Sequence, residues 1–246
     1  MALYGIGHIK DTRLHYLFEK KKVHFVPPPA EDYMCILIIH QNRFKGIRPG
    51  APYKNCIHPT MLPNFMDLII WGNEHESTDA LVEDPVQNFY IYQPGSSIAT
   101  SLNQAEALQK HVGFFEITEK KNFRFISIAL RNQRPLYVKN LELDQLIDNK
   151  KGNAFQKIKA DDDYDTVERR VEQKIEEEFN KILEEHENNI ATQKRLKNPP
   201  LIRLKVEYSG FDIIRVKQLE LKFMGKVANE GYFLFFESCE ELILKK

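Results

Sequence analysis

The chain has 246 residues, room for one large domain or two smaller ones, and its 42% hydrophobic and 28% charged residues are ordinary values for a globular protein. Lysine plus arginine (35) equals aspartate plus glutamate (35), so net charge argues neither for nor against a polyanionic partner, and any nucleic-acid surface has to be a local patch. No apolar run approaches the roughly 18 residues of a bilayer-spanning helix, and Cys35, Cys56 and Cys239 are too scattered for a Cys-based zinc module and fit a reducing compartment.

The opening Leu3-Tyr4-Gly5-Ile6-Gly7 reads as a strand entering a tight turn, with no signal-peptide layout before it. A strand this early raises the expectation of a segment truncated at its N-terminus. A helix is predicted from Thr12 to Lys22, starting at Asp11, with Lys20-Lys21-Lys22 its solvated end rather than a nuclear address. Met34–Ile39 is a continuous apolar run of strand length, read as a strand buried on both faces. Asp67–Trp71 is a second such run and Phe89–Tyr92 a third. Short helical pieces are expected at Pro63–Met66 and Ala105–Lys110. His111–Ile117 and Phe123–Ile128, joined by a short polar loop, are predicted to form a hairpin.

A second domain is expected from residue 136 to 246, after a first domain over 1–135. Leu136–Asp148 reads as a bridging strand and turn, and Asp161-Asp162-Asp163 leads into a long charged helix near 164–190. Its apolar positions, Val167, Val171, Ile175, Phe179, Ile182 and Leu183, have helical spacing, and its charged face reads as solvated. Asn198-Pro199-Pro200 stops that helix. Leu201–Tyr208 alternates like a half-buried strand, and Ile213–Phe223 and Tyr232–Phe236 are read in the same way. The pattern as a whole is α/β or α+β.

The chemistry concentrates where three apolar runs end: in His40-Gln41-Asn42-Arg43, in Gly72-Asn73-Glu74-His75-Glu76 and in Gln93-Pro94-Gly95-Ser96-Ser97. If the strands are parallel neighbours, all three clusters meet along the edge where open α/β sheets place ligands. His40 and His75 are candidate metal ligands, because neutral imidazole suits first-row transition metals, and Asn73 lies two residues before His75. A histidine that merely caps a strand is the plain alternative for each. Two metals held there would serve phosphoester cleavage, yet no carboxylate-rich motif precedes His40.

Tyr4-Gly5-Ile6-Gly7-His8-Ile9, Asp11, Arg13-Leu14, the His40 and Trp71–Glu76 clusters, and Gln93–Ser97 followed by Ala99–Leu102 occur in one order. Lys110-His111-Val112-Gly113, Pro200–Gly210 and Val227-Ala228-Asn229 extend the set. Together they closely resemble the eukaryotic meiotic-recombination-eleven family, the nuclease subunit of the double-strand-break repair complex. The resemblance implies a calcineurin-like metallophosphoesterase: the C-terminal part of a four-layer αββα β-sandwich, followed by a small α+β capping domain. It implies a manganese-dependent DNA nuclease with 3′–5′ exonuclease and single-strand endonuclease activities, acting in homologous recombination and meiosis in the nucleus. By position, His40 matches a ligand of one of two Mn2+ ions and His75 a ligand of the other. Asn73 occupies a family histidine position, so impaired occupancy of the metal that His40 serves is expected.

The family's first aspartate and histidine ligands, its bridging aspartate and its asparagine-histidine motif have no counterpart here. The isolated chain is therefore expected to be inactive. The resemblance also implies DNA, a coiled-coil ABC-type ATPase subunit and a nibrin-like subunit as partners, and a homodimer whose helices lie in the missing half. The competing reading is a non-catalytic DNA- and partner-binding fragment or degenerate paralogue. Arg124, Arg131, Arg134, Arg203, Arg215 and Lys217 are its candidate phosphate contacts, with solvated strand residues as the plain alternative. A generic small-molecule phosphoesterase is disfavoured by the paired strand-end motifs.

Overall fold

The computed structural model describes residues 1–46, 54–119, 121–142, 164–193, 198–207 and 216–237. Arg215, Cys239, Asp161–Asp163 and the side chain of Lys217 lie outside the described residues. The chain divides into two compact units: residues 1–100 with 108–133, and residues 101–107 with 134–246.

The first unit is built on a five-stranded sheet. Its strands are β1 (Ala2–Gly5), β2 (Cys35–His40), β3 (Leu68–Gly72), β4 (Val82–Glu83) and β5 (Tyr90–Tyr92), in the order β1-β2-β3-β5-β4. The first four in that order are parallel, and only β4 runs antiparallel to its neighbour. The continuous apolar runs follow from burial on both faces. On one face Leu37, Ile39, Ile69, Trp71 and Ile91 pack with Leu14 of α1 (Asp11–Glu19). On the other, Met34, Ile36, Leu68 and Tyr92 meet Phe115, Ile117, Phe123 and Phe125. Those four side chains come from an antiparallel hairpin, β6 (His111–Ile117) and β7 (Phe123–Ala129), which forms a separate two-stranded sheet. Helix, sheet and hairpin thus stack as layers, in keeping with the mixed α/β class expected. The tyrosine–phenylalanine contacts here are close: the Tyr92 and Phe125 ring centroids are 5.0 Å apart.

Two expected short helices are not found as predicted. Residues 63–66 form no helix; a 3-10 turn covers Pro59–Met61 instead, where Pro59 presets the first φ. The piece predicted at 105–110 is a 3-10 turn over Gln104–Ala107, which belongs to the second unit. The three lysines at 20–22 are exposed and follow the helix end, with Lys21 at φ 52° closing it.

The second unit holds a three-stranded sheet, β8 (Leu136–Glu142), β9 (Leu201–Glu207) and β10 (Leu234–Glu237), in the order β10-β9-β8 with both pairs parallel. The long helix is α2, Tyr164–Gln193. Ile175, Phe179 and Ile182 bury one stripe of it against Ile202, Leu204 and Val206, the inward half of the alternation in β9. A correction falls at 216–221: Val216–Leu221 is a helix, α3, not a strand. A strand would put Leu219, Leu221 and Phe223 on one face; instead Leu219 is buried in the helix, Leu221 at its end is exposed, and Phe223 is buried in the turn that follows. Phe223 lies 3.8 Å from Phe179, centroid to centroid.

Candidate functional site

Parallel pairing in register brings the three strand ends together: His40 sits opposite Gly72, and Ile70 opposite Tyr92. The segments 40–43, 72–76 and 93–97 therefore leave the sheet along its C-terminal edge, as the strand-end motifs predict. Gly72 matters here for space. A Cβ on it would lie 2.9 Å from Nδ1 of His40, so any larger residue displaces the imidazole.

Asn73 adopts φ 74°, a left-handed conformation that asparagine tolerates better than most residues. Its Nδ2 donates to Oδ1 of Asn42 at 2.8 Å. Asn42 in turn donates from Nδ2 to Oδ2 of Asp11 at 2.9 Å and from its backbone N–H to Oδ1 at 3.0 Å. Asp11 is thus in the first turn of α1 but clamps the loop after β2, and it makes no helix cap. Because the Asn73 amide nitrogen is committed to Asn42, its carbonyl oxygen is the atom left to serve a ligand.

His75 is exposed, and Oγ1 of Thr100 lies 2.7 Å from its Nδ1, fixing the ring's orientation. Its backbone carbonyl accepts from Nζ of Lys110 at 3.0 Å and from the Ser96 N–H at 3.2 Å. Lys110 is completely buried, and its amine also donates to Oγ of Ser96 at 3.1 Å. Gly95, at φ 67°, lets the two loops touch: a Cβ there would come within 2.7 Å of both His75 O and Ser77 N. The 93–97 loop and Lys110 together set where His75 stands.

Arg43 completes the edge. Its guanidinium lies over Trp71 at 5.9 Å and donates to Oε1 of Gln93 at 3.2 Å, while its backbone N–H donates to Oε1 of Glu74 at 2.8 Å. Burial pushes the Arg43 pKa down, and the Glu74 carboxylate opposes the shift. Lys45 bridges Glu74 at 2.7 Å and Glu76 at 3.5 Å. Arg43 and Lys110 stand in motifs quoted from the sequence, but neither is given a role there; Arg43 follows β2 by three residues and Lys110 immediately precedes β6.

The donors gathered here are two imidazoles and one amide oxygen. Among the described residues no group of three or more His, Cys, Asp or Glu is placed to hold a metal ion. Glu74 and Glu76 are tied to Lys45, and among the described residues no further carboxylate joins them in a metal-holding group. The donor set does not fit a two-manganese centre, and no chemical step follows from one in this chain.

Of the candidate phosphate contacts, Arg124 and Arg131 belong to the first unit and Arg134 and Arg203 to the second. Arg124 is exposed and faces Glu116 across the hairpin at 4.0 Å. Arg131 and Arg134 are exposed in turn segments. Arg203 is half-buried: it donates to Leu102 O at 2.8 Å and lies 5.0 Å over the Phe235 ring. Its guanidinium is held inside the second unit rather than extended into solvent.

Residues 123–240 match the model of the Mre11 DNA-binding presumed domain. Over 243 residues the chain is 35% identical to Double-strand break repair protein MRE11 of Oryza sativa subsp. japonica, covering 96% of this chain and 32% of that protein. It is 34% identical over 239 residues to the Homo sapiens protein of the same name, covering 96% and 32%. Double-strand break repair protein mus-23 of Neurospora crassa is 34% identical over 243 residues, covering 94% and 31%. The chain spans about a third of the length of these relatives. With its strand-end motifs at one edge, the chain is similar along nearly all its length to about a third of the MRE11 double-strand break repair proteins, and residues 123–240 match the Mre11 DNA-binding presumed domain.

Proposed function

We propose that this chain acts in DNA double-strand break repair as a DNA-holding segment of an MRE11-type nuclease, and that by itself it binds DNA without cleaving it. The observation that carries the reading is the match of residues 123–240 to a presumed DNA-binding domain, in a chain whose described residues group no three His, Cys, Asp or Glu for a metal ion. In the whole protein, manganese-dependent 3′–5′ exonuclease and single-strand endonuclease activity is the activity that the sequence resemblance implies. His40 and His75 would then be ligands of different ions, with Asn73 a neutral oxygen donor beside them. A coiled-coil ATPase, a nibrin-like subunit, a second copy and a nuclear location belong to the same proposal. The shortage of donors at the edge favours binding over catalysis for this chain.

The test is fluorescence anisotropy with a labelled duplex and a labelled single strand, over a range of salt, with a parallel cleavage assay in manganese. The expected result is salt-dependent binding, with log K falling, for each tenfold rise in salt, by about 0.9 per phosphate neutralised on duplex, and no cleavage. Manganese-dependent cleavage by the purified chain would refute the non-catalytic part. Binding that ignores salt would refute the phosphate contacts.

A further inference from the structure

The second unit contains a cavity of about 700 Å3 between the C-terminal part of α2 and the Asn198-Pro199-Pro200 segment. Leu183, Ile190, Pro199 and Pro200 form apolar walls, and Asn198, Glu187 and Lys226 supply the polar groups. Its floor is tied down. His186 is buried, with Nε2 3.1 Å from Asn198 O and Nδ1 3.4 Å from the Tyr137 hydroxyl, which also accepts from Asn189 Nδ2 at 3.1 Å. That relay holds the proline segment against the helix, so the cavity is preformed in the way small-molecule sites are. Lys226 is exposed, with its amine 5.7 Å from the Phe223 ring.

The polar groups decide what fits. One amine and one carboxylate cancel, so the cavity is no phosphate grip. An amide, an amine and a carboxylate around flat apolar walls instead offer donors and acceptors to the edge of a planar heterocycle, whose faces want apolar cover. All the lining residues fall within the matched DNA-binding domain, 123–240. We infer that this cavity receives one unpaired nucleobase of a DNA strand, with Pro199, Pro200 and Ile190 against its faces and Asn198, Glu187 and Lys226 at its edge. The inference rests on the DNA-holding function proposed above. It turns the proline pair that follows the helix in the chain into a surface for reading single-stranded or frayed DNA.

The experiment uses the full chain and an oligonucleotide with a single-stranded end carrying one 2-aminopurine. Because the walls are aliphatic, seating the base should take it out of its stack and raise its fluorescence several-fold on binding, and an abasic residue at that position should weaken binding. Ile190→Trp, which fills the cavity, should abolish the rise and bring affinity down to that of the abasic strand. Lys226→Ala should weaken the single-stranded end more than a blunt duplex. Circular dichroism checks that both variants fold. DNA binding with no fluorescence rise, or a rise that survives Ile190→Trp, overturns the inference and leaves the DNA-holding function standing. Absence of any DNA binding overturns both.

Discussion

Lys110→Met tests whether one buried amine holds the candidate site together. The substitution keeps the length and bulk of the side chain but removes an ammonium that donates to His75 O at 3.0 Å and Ser96 Oγ at 3.1 Å. Hydrogen bonds to charged groups contribute about 1.5–3 kcal/mol each, so these two together contribute about 3–6 kcal/mol. Sparing the ammonium its desolvation offsets part of that, and the Ser96 N–H still serves the His75 carbonyl, which leaves a net loss of about 2–4 kcal/mol. The assay reports on the correct unit, because Trp71 is the sole tryptophan and lies fully buried in the first one. With a urea slope of about 2 kcal/mol per molar, the tryptophan midpoint should fall by roughly 1–2 M. Lys45→Met is the control: its ion pair with Glu74 is exposed on the lysine side, and its loss should cost under about 1 kcal/mol. A midpoint for Lys110→Met that matches the Lys45 control would refute the claim that the amine anchors the His75 loop.

Gly95→Ala should destabilise the same unit by at least about 1–3 kcal/mol, since φ 67° is strained for alanine and its Cβ would strike backbone at 2.7 Å; an unchanged tryptophan midpoint would count against that contact. Phe179→Ala removes the ring that packs on Phe223 and Phe233 and should cost the second unit about 3–5 kcal/mol, read as loss of helical dichroism at lower urea while the tryptophan transition stays put. Burial lifts the pKa of Cys35 above its ordinary 9.0, with the Asp67 carboxylate adding to it, and burial lifts that of Tyr92 above its ordinary 10.0. Both groups hold their protons longer when folded than when unfolded. Their stabilising contribution is therefore present below the ordinary values and lost as pH climbs through the raised ones, so the tryptophan midpoint should drop from about pH 9 upward. By the same shift, Cys35 should resist alkylation at pH 8 until the chain is unfolded.

The parts of this molecule written in short-range pattern could be read without coordinates. The apolar runs at 34–39, 67–71 and 89–92 became β2, β3 and β5, and the alternation at 201–207 became the inward Ile202, Leu204 and Val206 of β9. Parallel pairing then followed from burial on both faces, and with it the shared edge. What pattern could not convey was partnership across distance. Leu136–Glu142 gave no sign that it pairs with β9 through a long crossover. Leu219, Leu221 and Phe223 alternate as a strand does, and only the exposure of Leu221 between the buried Leu219 and Phe223 breaks that reading. Charge misled in the same way. Lys110 is wholly buried because its amine closes a loop, and Arg203 is folded back onto Phe235 although its position in the strand suggested a phosphate contact. The site was legible as a set of motifs. Its second layer, Asp11 to Asn42 to Asn73 and Lys110 to His75, was not, because those hydrogen bonds join residues about thirty positions apart.

The all-parallel sheet of the second unit also bears on the order of events as the chain folds. Leu136 must find Leu201, some sixty-five residues later, before any β8–β9 hydrogen bond forms, and β10 must then arrive in the same direction. The β6–β7 hairpin closes over a handful of residues. Local closure of that kind takes about 1–10 μs, whereas distant parallel pairing is intrinsically slow. The hairpin should therefore be in place early and the second sheet late, which leaves the apolar stripe of α2, with Ile175, Phe179 and Ile182, without its cover in the interval. A chaperone or a fast-growing aggregate would meet the protein there first.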